Sequence, residues 1–139
     1  MKVITEYLKF DSKGKTDIIN ITSDIASKLN ETGIKSGIVT ISVIGSTASI
    51  TTVEFEPALV SDIKELFEKI IPSNVTYEHD ATWGDANGYS HLRSSLLGTS
   101  ITVPFVDKEL VLGTWQQIIF LDFDNRPRSR KICLQFMGE

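Results

Sequence analysis

The chain opens with apolar and polar residues interleaved. From Lys2 to Asp11 (KVITEYLKFD) no run of either kind exceeds two residues, and the β-branched and aromatic content reads as a strand. Ser12-Lys13-Gly14 supplies turn chemistry, and Lys15 to Ile21 reads as a second strand that pairs with the first as a hairpin. A helical period follows. Ile21, Ile25 and Leu29 fall on one face of a short helix, with Thr22 as its cap and Gly33 as its stop. Ser36 to Glu54 is rich in Ile, Val and Thr, which predicts two strands broken near Gly45. The strongest helical signal is PALVSDIKELFEKIIP: Pro57 suits a first turn and Pro72 halts the helix. Its Leu59, Val60, Ile63, Leu66, Phe67, Ile70 and Ile71 form one apolar stripe, read as core packing.

A polar loop follows, HDATWGDANGYSH, residues 79–91. Ser90 can cap a short helix running through Leu96 and Leu97 and ending at Gly98. The remainder alternates in TSITVPFV, ELVLGTWQQIIFLDF and RKICLQFM, with turns at Asp107-Lys108 and at Asn125–Arg128. Within the second of these strands Gln116 shares a face with Ile118, Phe120 and Asp122, and Trp115 shares the other with Gln117, Ile119 and Leu121. Strands, then helices, then many strands predict one α+β domain, residues 1–139, around an antiparallel sheet or sandwich.

Composition narrows the classes. With 139 residues, 41% hydrophobic and 23% charged, this is an ordinary globular composition. No apolar run approaches the ~20 residues that span a bilayer, and the charged, alternating N-terminus is not a signal peptide. No membrane association and a cytoplasmic location are therefore expected. The net charge of −4 argues against broad nucleic-acid binding. Arg126, Arg128, Arg130 and Lys131 nevertheless cluster in NRPRSRK, either to meet a small anion or an acidic patch of a neighbouring subunit, or as a solvated turn. The single Cys133 rules out a disulfide framework and reads as a small strand residue.

Candidate chemistry concentrates in the polar loop. Both histidines of the chain, His79 and His91, close its ends, with Asp80, Asp85 and Asn87 between them and two glycines that let the backbone wrap. Imidazole and carboxylate are ordinary ligands for zinc and its neighbours, although the spacing matches no standard zinc motif. A structural loop is an equally good reading. His91 directly follows the proposed cap, where free backbone N–H groups favour an anion, and Arg93 is a natural phosphate or carboxylate partner unless it bridges a surface carboxylate. In GSTASITTVE, residues 45–54, the hydroxyls and amides of Ser46 and Thr47 can hold phosphate oxygens, but the Gly-Lys element of a P-loop is missing. Taken alone, the segment reads as threonine-rich strand. Glu54 and Glu56 precede the helix at Pro57 and suit its positive end. Gln116, on an otherwise apolar face, needs a partner if buried.

Taken together, HLRSSLLGTSITVPFVDKELVLGTWQQIIFLDF, the downstream RPRSR and the terminal Gly-Glu resemble the YjbQ family, also catalogued as UPF0047, over nearly the whole chain. GSTASITTVEFEP with TWGDANG is similar to its archaeal branch. The resemblance implies an antiparallel β-sandwich with a few helices packed against it, assembled as a homo-oligomer, a trimer above all. It also implies secondary thiamine-phosphate synthase activity beside an unassigned primary role. The family's recurrent polar residues map onto Glu54, His79, His91, Arg93, Thr114 and Gln116, with Asn87 at a position that is Asn or Asp in relatives. Two departures stand out. Gly45-Ser46-Thr47 replaces a His-Thr-Thr or His-Thr-Ser, and Val53 stands where relatives often have Asn. If the missing histidine is a metal ligand elsewhere, Asp85 or Glu54 must complete the set here, or the site works without metal.

Three readings follow. In the first, His79, His91, Glu54 and Asn87 form the pocket of a small-molecule enzyme. Its catalytic residues are His91, Glu54 and Asn87, and Ser46, Thr47, Arg93, Thr114 and Gln116 bind the ligand. A divalent metal, zinc or magnesium, is held by His79, His91 and Asp85. In the second, the same pocket belongs to a non-catalytic oligomeric module that binds a small phosphorylated or carboxylated metabolite. In the third, the polar residues only satisfy one another.

Overall fold

The structure is a computed structural model describing residues 1–139. Two antiparallel sheets stack face to face. Sheet A comprises β1 (Lys2–Ser12), β8 (Arg128–Gly138), β3 (Gly37–Val43), β5 (Ser100–Val106) and β6 (Glu109–Leu110), in that spatial order. Sheet B comprises β2 (Asp17–Asn20), β7 (Gln116–Asp122) and β4 (Ala48–Glu54). The main core lies between them, with Val39, Ile41, Leu134 and Phe136 of sheet A facing Ile50, Ile118 and Phe120 of sheet B. Helix α1 (Thr22–Thr32) adds Ile25 and Leu29 to that core, and Gly33, left-handed at φ 71°, ends it as expected.

The outer face of sheet B carries a second, smaller core. Ile18, Ile119, Leu121 and Phe123 pack there under Phe67, Val60 and Ile63 of α2 (Pro57–Ile70) and Leu97 of α4 (Gly88–Leu97). Strand β7 is therefore covered on both faces, which is why Ile118 to Leu121 is an unbroken apolar run. The expected sharing of faces holds: Ile118 and Phe120 enter the main core, Ile119 and Leu121 the outer one. Trp115, however, precedes the strand and is 72% exposed.

Four expectations are corrected. First, β1 and β2 do not form a hairpin. β1 pairs with β8 along its whole length and β2 pairs with β7, because the chain changes sheets between them. Gly14, Lys15 and Thr16 take left-handed backbone angles there (φ 71°, 53° and 63°), and Gly14 passes so close to the carbonyl of Arg126 that any side chain would collide. Second, Thr22 is not a cap. It is the first helical residue, and its hydroxyl donates to Asn20 Oδ1 at 2.7 Å and accepts from the Ile118 amide at 2.8 Å. Third, only part of the α2 stripe is core: Phe67 is buried, while Leu66 and Ile70 stay about half exposed because nothing in the chain covers that side. Glu56 caps this helix, accepting from the amides of Ala58 and Leu59. Fourth, ELVLGTWQQIIFLDF is two strands, β6 in one sheet and β7 in the other, with the crossing between them.

Candidate functional site

The polar loop is closed by one carboxylate. It contains a one-turn helix, α3 (Asp80–Trp83), and leads into α4. Asp80 accepts from the Tyr77 amide at 2.9 Å and from the Gly88 amide at 2.8 Å, so the two ends of the segment are held by the two oxygens of one side chain. These two amides, helped by the charge of His79, hold the Asp80 carboxyl below the usual aspartate range. The Tyr77 hydroxyl donates to the Pro72 carbonyl at 2.6 Å and ties the segment to the end of α2. Gly88 is required: a Cβ there would lie 2.7 Å from Tyr77 Cβ and 2.9 Å from Asp80 Oδ1.

This clasp sets His79 against His91, ring centroids 4.5 Å apart and planes at 61°. Both rings are half-buried. With Tyr77, Glu78, Gly88 and Leu92 they line a cavity of about 500 Å³. No nitrogen of either ring makes a hydrogen bond or an ion pair within the chain, so all four are available to a bound molecule.

The remaining candidates are placed unevenly. Asp85 does not join the histidines. The left-handed turn at Gly84 carries it past them to the surface, where its carbonyl accepts from Asn125 at 2.6 Å. No three His, Cys, Asp or Glu residues of the chain come together, so the set of His79, His91 and Asp85 is not assembled within one chain. Two imidazoles are half of a tetrahedral zinc site, and the chain alone does not fit the metal. Ser90 is not the cap of α4. It is the third helical residue, buried, with its hydroxyl donating to the Phe123 carbonyl at 2.6 Å. Asn87 occupies the capping position without a side-chain cap bond, and the His91 amide turns to its carbonyl rather than to the cavity. The Asn87 side chain is 8% exposed, and its Oδ1 has no partner.

Arg93 has a structural position. It is 2% exposed, and its guanidinium donates to the Ile71 carbonyl at 3.0 and 2.8 Å, to Thr16 at 3.0 Å and to Glu68 at 2.7 Å. The rings of Tyr89 and Phe67 lie on it at 4.9 and 5.7 Å. Burial alone would raise the Glu68 pKa, but the Arg93 and Ser73 hydrogen bonds lower it. Thr47 turns its hydroxyl inward, donating to Asp124 at 3.1 Å and accepting from Arg130, whereas Ser46 is exposed.

Glu54 lies away from the histidines. Helix α4 runs beside the first half of β4: Ser94 donates to the Ala48 carbonyl at 2.6 Å, and the Ile50 amide reaches Gly98 at 3.4 Å. Glu54 is four extended residues further on, roughly 13 Å, while His91 lies one helical turn back in the opposite direction. The pocket expected from Glu54, His91 and Asn87 is therefore not closed within one chain. Instead Glu54 lines a separate cavity of about 320 Å³ with Thr114, Trp115, Phe55 and Gln117. Gln116 is exposed, accepts from the Gly113 amide at 2.9 Å and donates to Thr52 at 3.1 Å.

Two groupings escaped the sequence reading. One is the Asp80 clasp; the other is a buried ionic network where the two sheets meet. Arg130 grips both oxygens of Asp122 at 2.8 and 2.9 Å, Ser12 adds a bond of 2.6 Å, and Arg128 pairs with Asp124 at 2.6 Å. Burial acts to raise the Asp122 pKa, and the hydrogen bonds from Arg130, Ser12 and the Asp124 amide outweigh it and hold the carboxyl below its usual range. Arginines and aspartates at these spacings, Asp-x-Asp and Arg-x-Arg on adjoining strands, were the available signal.

A family model described as UPF0047 protein YjbQ-like matches residues 6–139. A UPF0047 protein of Methanothermobacter thermautotrophicus is 38% identical over 100% of this chain and 95% of that one. The UPF0047 protein YugU of Bacillus subtilis is 34% identical over 94% and 97%. Among solved structures, a YbjQ-like protein of unknown function from Sulfolobus solfataricus superposes with a TM-score of 0.94 at 29% identity, covering 99% of both chains. A hypothetical protein of Aeropyrum pernix gives 0.91 at 28% identity, over 98% and 99%.

Proposed function

The chain belongs to the YjbQ (UPF0047) family, which is uncharacterised, and from that premise and the geometry of the loop we propose that it is a small-molecule enzyme acting through His79 and His91. The observation that carries this is the histidine pair itself: two imidazoles in contact at the wall of an open cavity, with no nitrogen committed to the protein. Such a pair can donate a proton to one group and accept one from another. Thiamine-phosphate formation belongs to this proposal as an activity within its reach. The thiazole ring nitrogen forms a C–N bond to the methylene carbon borne by the pyrimidine while that carbon's C–O bond to pyrophosphate breaks, so the leaving oxygen departs with the electron pair and needs its charge met. His91 as the acid supplies one donor to that oxygen. A divalent ion at the pair would need further ligands from outside the single chain.

The same proposal includes assembly, with a trimer as its form. Glu54 sits with Thr114 beside two exposed rings, Trp115 at 72% and Phe55 at 41%. Within one chain that carboxylate has no cationic partner and lies away from the histidines, so a second copy is the route by which Glu54 joins His91. Turnover by mixed oligomers tests this. Glu54→Ala and His91→Ala chains, each inactive alone, are expected to regain part of the wild-type rate when co-assembled. Two dead variants that stay dead together would confine the reaction to one chain.

The second reading, a module that holds an anionic metabolite without changing it, draws on the same cavity. A ligand that raises Tm strongly and is recovered unchanged after prolonged incubation favours it over the enzyme.

A further inference from the structure

The turn between β3 and β4 contains three consecutive backbone N–H groups, those of Gly45, Ser46 and Thr47, that donate to no acceptor in the chain. Beneath them lies Arg130. It is 4% exposed, and Nε and Nη2 are held by Asp122 and Thr47. Its Nη1 makes no hydrogen bond, yet the one side-chain polar atom sealed from solvent without a partner is Asn87 Oδ1. Nη1 therefore keeps an opening to the surface, and Gly45 is that opening: a Cβ at this position, where φ is 151°, would stand 2.7 Å from Nη1. Ser46 adds an exposed hydroxyl.

We propose that the Gly45–Thr47 turn and Arg130 Nη1 form a binding site for a phosphate group. Three amides in succession, a guanidinium fixed in place by a bidentate carboxylate and one hydroxyl offer more donors than the two oxygens of a carboxylate need, which suits the several oxygens of a phosphate better. The acids nearby do not oppose it directly. Asp122 accepts from Arg130, Ser12 and the Asp124 amide, and Asp124 accepts from Arg128, Thr47 and the Asn125 amide. The turn also adjoins the start of α4, because the Phe123 amide donates to the Thr47 carbonyl while the Phe123 carbonyl accepts from Ser90, the residue before His91. This deepens the enzyme reading by giving the substrate a phosphate end, and rests on that reading for the substrate alone, not for the site.

The test is a titration of 15N-labelled protein with inorganic phosphate, followed by amide resonances, on wild type, Gly45→Ala and His91→Ala. The expected result is a saturable shift of the Gly45, Ser46 and Thr47 amides in wild type, a Kd raised about tenfold or more in Gly45→Ala, and unchanged phosphate binding in His91→Ala. The wild-type map stands without any variant, so misfolding of Gly45→Ala cannot hide the answer. Absence of saturable shifts at 45–47 overturns the site, and acetate binding there as tightly as phosphate overturns its assignment to phosphate. Neither outcome touches the histidines. Conversely, full turnover by His91→Ala with the phosphate shifts intact overturns the enzyme reading and leaves this site standing.

Discussion

Both oxygens of Asp80 are used on the backbone, one on each side of the histidine loop, so this single side chain fixes how His79 meets His91. Asp80→Ala is expected to speed hydrogen exchange at the Gly88 amide by about tenfold or more, with the core amides unaffected; an unchanged rate would show that packing alone holds the loop. Its pKa is lowered by folding, so its contribution is present above the unfolded aspartate value of about 3.9 and is lost as pH falls through the lower folded value. Arg93 gives a sharper separation of roles. Its donors end on Ile71, Thr16 and Glu68, so Arg93→Lys should cost roughly 2 kcal/mol of stability by denaturant melt while leaving KM near wild type. A large rise in KM at full stability would instead return it to the ligand. The residue types of the site were legible in the sequence: two histidines and an asparagine around glycines. Their partners were not, because Asp80 acts through backbone amides and Arg93 through a carbonyl and two side chains distant in sequence, which leave no mark on residue spacing.

At the scale of elements, the fold was readable wherever periodicity is local. The β5–β6 turn at Asp107-Lys108, left-handed at both residues, and the capped start of α2 lie where the sequence puts them. The connections were not readable, since alternation specifies a strand and its inner face but never its neighbour in the sheet. So β1 and β2, adjacent in sequence and joined by turn residues, read as a hairpin although each pairs with a strand far along the chain, β8 and β7 respectively. What holds that crossing is the Arg130–Asp122 pair, linking β8 to β7. Asp122→Ala leaves a buried guanidinium uncompensated and should cost about 3–5 kcal/mol in denaturant melts. The sign with pH is the same as for Asp80: wild type should lose stability as acid protonates Asp122, and Asp122→Asn should show a shallower acid dependence. Equal acid slopes in the two proteins would place the lost charge elsewhere.

At the scale of the whole molecule, the apolar surface left over is informative. Trp115 and Phe55 beside Glu54, and Leu66 and Ile70 on α2, are more exposed than a finished monomer needs. No helix is long and apolar enough to cross a membrane. Sedimentation should therefore report an oligomer, and Trp115→Ser should shift it toward the 15.5 kDa chain; a wild-type monomer would contradict the assembly. The central claim, however, is that the paired histidines do chemistry. Its most direct test is the rate of thiamine-phosphate formation from the two half-molecules, measured on stably folded wild type and His91→Ala. The account predicts turnover by wild type that falls by about a hundredfold or more without His91. An unchanged kcat/KM in His91→Ala would contradict it and remove the histidine from the mechanism.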